Sequence, residues 1–166
     1  MAKASISCDV SKIVNRLENM SKTLFIKHQS FLRRLSAIGV DTANIAFSDV
    51  TYDGSKGTLP ASSYARADVK WVSSNKLQIV AKGEGVVFIE FGSGMNGAGH
   101  PTAVSFGFGP GTYSDSVGKG QWMREDGWIY KHDLPRSKGN EPAMAMYLAG
   151  KNMREMIEQI ALEVYG

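Results

Sequence analysis

The sequence predicts an α+β fold, in which a small, mainly antiparallel sheet is flanked by a long amino-terminal and a long carboxy-terminal helix, with a glycine-rich loop or arm. Three observations point there. Apolar residues recur at three- and four-residue steps near both ends of the chain. Between them, two segments alternate polar and apolar residues around a short turn. Eleven of the eighteen glycines lie between Gly83 and Gly120.

The first helix is expected from Asp9 to Ile38. At about 100° per residue, Val10, Ile13, Leu17, Met20, Leu24, Phe31, Leu35 and Ile38 share one face. Lys12, Arg16, Lys22, Lys27, Arg33 and Arg34 fall on the opposite arc, so one face should bury while the other is strongly basic. Asp9 or Ser11 offers a capping oxygen, and Gly39 offers a left-handed stop. Asp41 to Phe47 is read as a short second helix. Tyr52-Asp53-Gly54 and the Ser, Gly and Pro-rich stretch to Ser63 are read as turn and loop.

Asp68 to Ser73 and Lys76 to Lys82 then alternate around Ser74-Asn75, which predicts a hairpin. Val86-Val87-Phe88-Ile89-Glu90-Phe91 is short enough for strand or helix, and is read as a buried helical turn. Residues 92–125, with their glycines and with Pro101 and Pro110, form the expected loop or arm. Gly127 to Lys131 is read as another strand. Asn140 is the expected cap and Pro142 the first-turn residue of a last helix. In that helix Met146, Ala149, Met153, Met156, Ile157, Ile160, Ala161 and Val164 should face inward, opposite Lys151, Asn152, Glu155, Glu158, Gln159 and Glu163.

At 166 residues the chain suits a single domain spanning 1–166, and 43% hydrophobic with 21% charged residues predicts a buried core. The apolar run Gly85 to Phe91 is far below the roughly 18 to 20 residues that a membrane span needs. Met1 to Val14 lacks the pattern of a secretory signal, which predicts retention in the cytoplasm where the protein is made. One cysteine, Cys8, offers neither a disulfide nor a metal knuckle. A net charge of +3 is too mild to imply nucleic-acid binding unless the cations cluster.

Gly92-Ser-Gly94-Met-Asn-Gly97 matches the spacing of a dinucleotide loop, but Ala98-Gly99-His100-Pro101 prevents the helix such a loop must open. Gly118-Lys119-Gly120 lacks the spacing and hydroxyl of a phosphate loop. His28, His100 and His132 show no metal-ligand spacing, and no serine sits in a nucleophile elbow. No catalytic residue, cofactor or metal is expected. The enzyme reading that stays open is a small metal-dependent nuclease or hydrolase using His100 and His132 with Glu125, Asp126 and Asp133. A DNA-binding module built on the basic helix is a third.

Several stretches, in order, resemble the tail-component family of long-tailed phages and prophages. They begin with Leu35-Ser-Ala-Ile-Gly39-Val-Asp-Thr-Ala43, Phe47, Tyr52-Asp53-Gly54 and Ala81-Lys-Gly83. Val87-Phe-Ile-Glu90-Phe91-Gly92-Ser93-Gly94 is similar to the family's apolar-Glu-aromatic-Gly-Thr/Ser signature. Gly118-Lys119-Gly120, Trp128-Ile-Tyr130 and Gly139-Asn140-Glu-Pro142-Ala-Met144-Ala-Met146-Tyr147 follow, then Met153-Arg154 and Ile160-Ala161-Leu-Glu163-Val164. The likeness runs from about residue 30 to the end, and order and spacing carry it. Glu141-Pro142 stands where the family commonly has two prolines, and Ser93 where threonine is commoner.

The resemblance implies a virion structural protein of the head-to-tail junction: a neck, tail-completion or tail-terminator subunit. It implies a homo-oligomeric ring, hexameric by analogy with tail symmetry, that meets other neck, connector and tail proteins while genomic DNA passes through. No membrane is involved. A head-closure, or stopper, subunit is the nearest alternative. The expected assembly contacts are Glu90, Phe91, Gly92, Trp122, Trp128 and Tyr130. Lys12, Arg16, Lys27, Arg33 and Arg34 are the expected DNA-channel or acidic-partner face.

Overall fold

A computed structural model of the chain describes residues 10–93 and 139–166. Helix α1 (Ser11–Asp49) leads into two antiparallel hairpins, β1 (Thr51–Gly54) with β2 (Gly57–Pro60), and β3 (Ala65–Ser73) with β4 (Lys76–Gly83). A 3₁₀ turn at Ala61–Ser63 separates the hairpins. Helices α2 (Val86–Phe91) and α3 (Ala145–Tyr165) complete the described residues. Long helices at both ends and a small antiparallel sheet between them make the fold α+β, as the periodicities predict.

Helix α1 does not stop at Gly39. It runs on to Asp49 and absorbs the second helix expected at Asp41 to Phe47. Gly39 is buried where α1 crosses α3, and a Cβ there would come within 2.7 Å of Met153 Sδ. The missing side chain is thus used for close helix packing and not for a left-handed turn. At the other end Val10 occupies the cap position without a side-chain cap hydrogen bond, Ser11 is the first helical residue, and Asp9 lies outside the described residues.

Thr51 to Pro60, expected as turn and loop, is a hairpin. Thr51 pairs with Pro60, Tyr52 with Leu59, Asp53 with Thr58 and Gly54 with Gly57, around Ser55 and Lys56. Tyr52 and Tyr64 meet edge to face with ring centroids 5.2 Å apart, a geometry that favours aromatic pairs. The Tyr64 hydroxyl donates to Gly57 O. The hairpin around Ser74-Asn75 forms where the alternation places it, with a register irregularity between Trp71 and Ser73. The helical reading of Val86 to Phe91 also holds.

The core lies where α1, the 3₁₀ turn, β3, α2 and α3 converge: Ala43, Ala46, Phe47, Ala61, Tyr64, Ala65, Ala67, Ile89, Ala143, Ala145 and Ala149. Phe47 and Ile89 are its largest fully buried side chains. Apart from Tyr64 the others are alanines, which let the backbones approach closely, so Phe47 and Ile89 carry much of the apolar burial, at about 1.5–3 kcal/mol each.

The start of α3 differs from the expected one. Met144, at φ 50°, occupies the cap position and Ala145 opens the helix, while Asn140 is engaged elsewhere. Asn140 Nδ2 donates to Phe88 O at 2.9 Å, and Ser93 N donates to Asn140 O at 3.0 Å. On the inward face Asn152, expected outside, donates to Thr42 Oγ1 at 2.7 Å, while Ile157, expected inside, is exposed. α1 and the second hairpin cover a narrow arc of α3, centred on Ala149, Met153 and Ile160, and Ile157 falls at its border.

The expected strand Gly127 to Lys131, most of the glycine-rich arm, and Cys8 lie outside the described residues. No described helix is long and apolar enough to cross a membrane.

Candidate functional site

The two halves of α1 have different surroundings. From Lys27 onward the helix lies antiparallel to α3: Phe31 packs on the Tyr165 ring, Arg34 pairs with Glu163 at 2.8 Å, and Thr42 meets Asn152. Lys27 Nζ donates to Tyr165 O at 3.3 Å, placing a cation at the carboxy-terminal, electronegative end of α3. Ser11 to Ile26 continues past that end as an exposed arm, about 24 Å long at 1.5 Å per residue.

The arm carries the apolar stripe that periodicity predicts, but nothing within the described residues buries it. Val10, Ile13, Leu17, Met20 and Leu24 are between 57% and 64% exposed. Their spacing of three, four, three and four residues is that of a coiled-coil seam, a pattern that positions knobs for another helix. Val14 and Phe25 widen the stripe on one side. Contiguous apolar surface of this kind marks a contact site. The expectation that this face packs inside the chain is therefore corrected for residues 10–26. It holds for Phe31, Leu35 and Ile38, which are half-buried where α3 and the second hairpin lie against the helix.

The basic arc is divided in the same way. Lys12 and Arg16 stand on the arm with Lys22, accompanied by one carboxylate, Glu18. The other predicted cations have partners inside the chain. Lys27 meets the end of α3, Arg33 lies 5.8 Å from the Trp71 ring centroid, and Arg34 pairs with Glu163.

A second surface lies at the far end of the α1–α3 pair. Thr42, Ile45, Ala46 and Asp49 of α1 and Leu148, Lys151, Asn152 and Glu155 of α3 line an open groove of about 440 Å³. Ala46 and the Thr42–Asn152 hydrogen bond form its floor. Ile45 and Leu148 are exposed apolar walls. Asp49 and Glu155, with Asp41 one turn before Ile45, give the rim a negative balance against Lys151.

The expected contact residues at the end of α2 are placed inside the fold. Glu90 is buried, and its carboxylate accepts from Met146 N at 3.0 Å and from Tyr147 N at 3.1 Å. A negative group thus satisfies free N–H groups in the first turn of α3, where the helix dipole favours it. The reverse end is satisfied as well. The last carbonyls of α2 accept from the third helix's lead-in, Ile89 O from Ala143 N at 2.8 Å and Glu90 O from Met144 N at 3.0 Å. Gly92 is buried and Phe91 half-buried.

The two motif segments, Val87 to Ser93 and Gly139 to Tyr147, therefore meet as one hydrogen-bonded clasp. Sequence reasoning missed this because Glu90 and Met146 are 56 positions apart. Trp122, Trp128 and Tyr130 lie outside the described residues, as do His100, His132, Glu125, Asp126 and Asp133. Among the described residues no group of three or more His, Cys, Asp or Glu side chains is placed to hold a metal ion.

The chain matches no family model, no curated protein and no solved structure.

Proposed function

We propose that the chain is a structural subunit of the phage head-to-tail junction, a neck or tail-completion protein that assembles as a ring around the DNA channel. The observation that carries this is the arm, an exposed apolar seam on a helix that extends beyond the other described elements. Such a seam is a liability in an isolated molecule and an asset in a fixed assembly. The ordered motifs that resemble the tail-component family supply the setting, and the hexameric number rests on analogy with tail symmetry.

In a closed ring each subunit presents two unlike surfaces, one to each neighbour. The arm and the groove are unlike in charge and shape, and they sit at opposite ends of the α1–α3 pair. The reading is tested in particles. Peptides of this chain should be found in purified mature virions at a fixed low copy number, and loss of its gene should leave full heads and tails unjoined. Absence from mature particles would overturn it. A neck reconstruction separates a tail-side ring from a stopper on the connector side.

A further inference from the structure

We infer that the arm of one copy, Val10 to Ile26, docks in the groove between α1 and α3 of the next copy, so that subunits join head to tail. The inference rests on the ring reading and names the contact that builds it.

The arm cannot fill its own groove. It is continuous with α1, and Leu24 and Ile45 are about 32 Å apart along one unbroken helix. An arm seated in the groove must therefore come from another molecule. The 3-4-3-4 spacing of Val10, Ile13, Leu17, Met20 and Leu24 suits helical partners, and the groove is walled by two helices.

Charge selects this pairing over arm against arm. Lys12, Arg16 and Lys22 outnumber Glu18, so two arms side by side would bring like charges together. The groove instead offers Asp49 and Glu155 beside the exposed Ile45 and Leu148, with Lys151 the one cation among the described residues that line it, and Asp41 stands one turn before Ile45 on the same helix. An apolar stripe bordered by cations meets an apolar trough bordered by carboxylates, which favours correct encounter and register. A contact between two different surfaces also propagates in one direction, and a ring requires that.

Sedimentation velocity of the full chain tests this. The wild-type chain should self-associate as its concentration rises through the micromolar range into the millimolar range. Leu17→Glu with Met20→Glu on the arm, or Ile45→Lys in the groove, should each weaken association at least about a hundredfold. All three positions are more than half exposed, so circular dichroism should show unchanged folding. Each variant keeps one intact surface. An equimolar mixture of the arm and groove variants should therefore form dimers that neither forms alone, and these should not grow further.

Arg16→Glu should weaken association about fivefold, and adding Glu155→Arg should recover most of it. If the groove variant assembles like wild type while the arm variant does not, the groove is not the seat and the inference fails with the ring reading intact. A mixture that stays monomeric, or arm variants that assemble normally, also overturns it. A wild-type chain that stays monomeric throughout defeats the inference alone when virions still contain the protein, and both readings when they do not.

Discussion

The side chain of Asn44 pairs with the backbone of Ala67 as a neighbouring strand would: its Oδ1 accepts from Ala67 N at 2.9 Å and its Nδ2 donates to Ala67 O at 3.2 Å. Strand β3 has a partner strand on one side, and α1 supplies this substitute on the other. Ala67 is fully buried, so water cannot take over either bond. Asn44→Ala should destabilise the fold by about 1–3 kcal/mol, and Asn44→Asp, which keeps the acceptor but sets a carboxylate oxygen against Ala67 O, by at least as much. Chemical denaturation of the three proteins checks the order. Equal stability of Asn44→Ala and wild type would show that the pair is dispensable.

Glu90 yields a graded prediction. Glu90→Ala removes the acceptor of Met146 N and Tyr147 N and leaves a space where the carboxylate was, which should cost about 2–3 kcal/mol. Glu90→Gln keeps one oxygen but aims an amide NH₂ at the same donors, and should cost roughly half as much. Melting temperatures should fall by about 2–4 °C for each kcal/mol lost in a chain of this size. Amide exchange at Met146 and Tyr147 should speed up more than exchange elsewhere in α3.

Gly39 separates packing from helix propensity. Alanine there would gain about 1 kcal/mol of helix preference, and its Cβ would meet Met153 Sδ and Ile79 Cδ1, both ends of side chains that can shift. Gly39→Ala should therefore lie within about 1 kcal/mol of wild type. Gly39→Leu should push α3 away from α1 and lose about 1–3 kcal/mol through overpacking. A Gly39→Leu protein as stable as wild type would mean the crossing is looser than the structure has it.

The Arg34–Glu163 pair should matter little. Both side chains are about half exposed, so solvent screens the pair and holding two long side chains in place offsets much of the attraction. Arg34→Ala should change stability by less than about 1 kcal/mol, and added salt should erase most of the difference. A larger loss that persists in high salt would indicate lost packing against α3 and not lost charge.

Local pattern was enough where neighbours in sequence are also neighbours in space. The hairpin around Ser74-Asn75 is an example, since its alternation and its turn lie close together between Ala65 and Gly83, Ser73 pairing with Lys76 and outer pairs following. The four-residue strands of the first hairpin are too short to display an alternation, and their Gly and Pro content, with Ser55 in the turn between them, reads as loop. Gly39 and Asn140 misled for a different reason. Each is a residue type with a strong local preference, turned to a distant contact: Gly39 to Met153, Asn140 to Ser93 and Phe88. The arm shows a third limit. Periodicity identifies which side of α1 is apolar, and it carries no information on whether anything within the same chain covers that side.

Ser93 and Asn140 are 47 positions apart in sequence and hydrogen-bonded through both backbone and side chain. The carboxy-terminal end of α2 and the lead-in of α3 are thus fastened to each other directly. The entropic cost of bringing two such positions together grows by only about 0.6 kcal/mol for each doubling of their separation in sequence. The pair acts as a rivet: loosening it would release the end of the short helix and the start of the long one together.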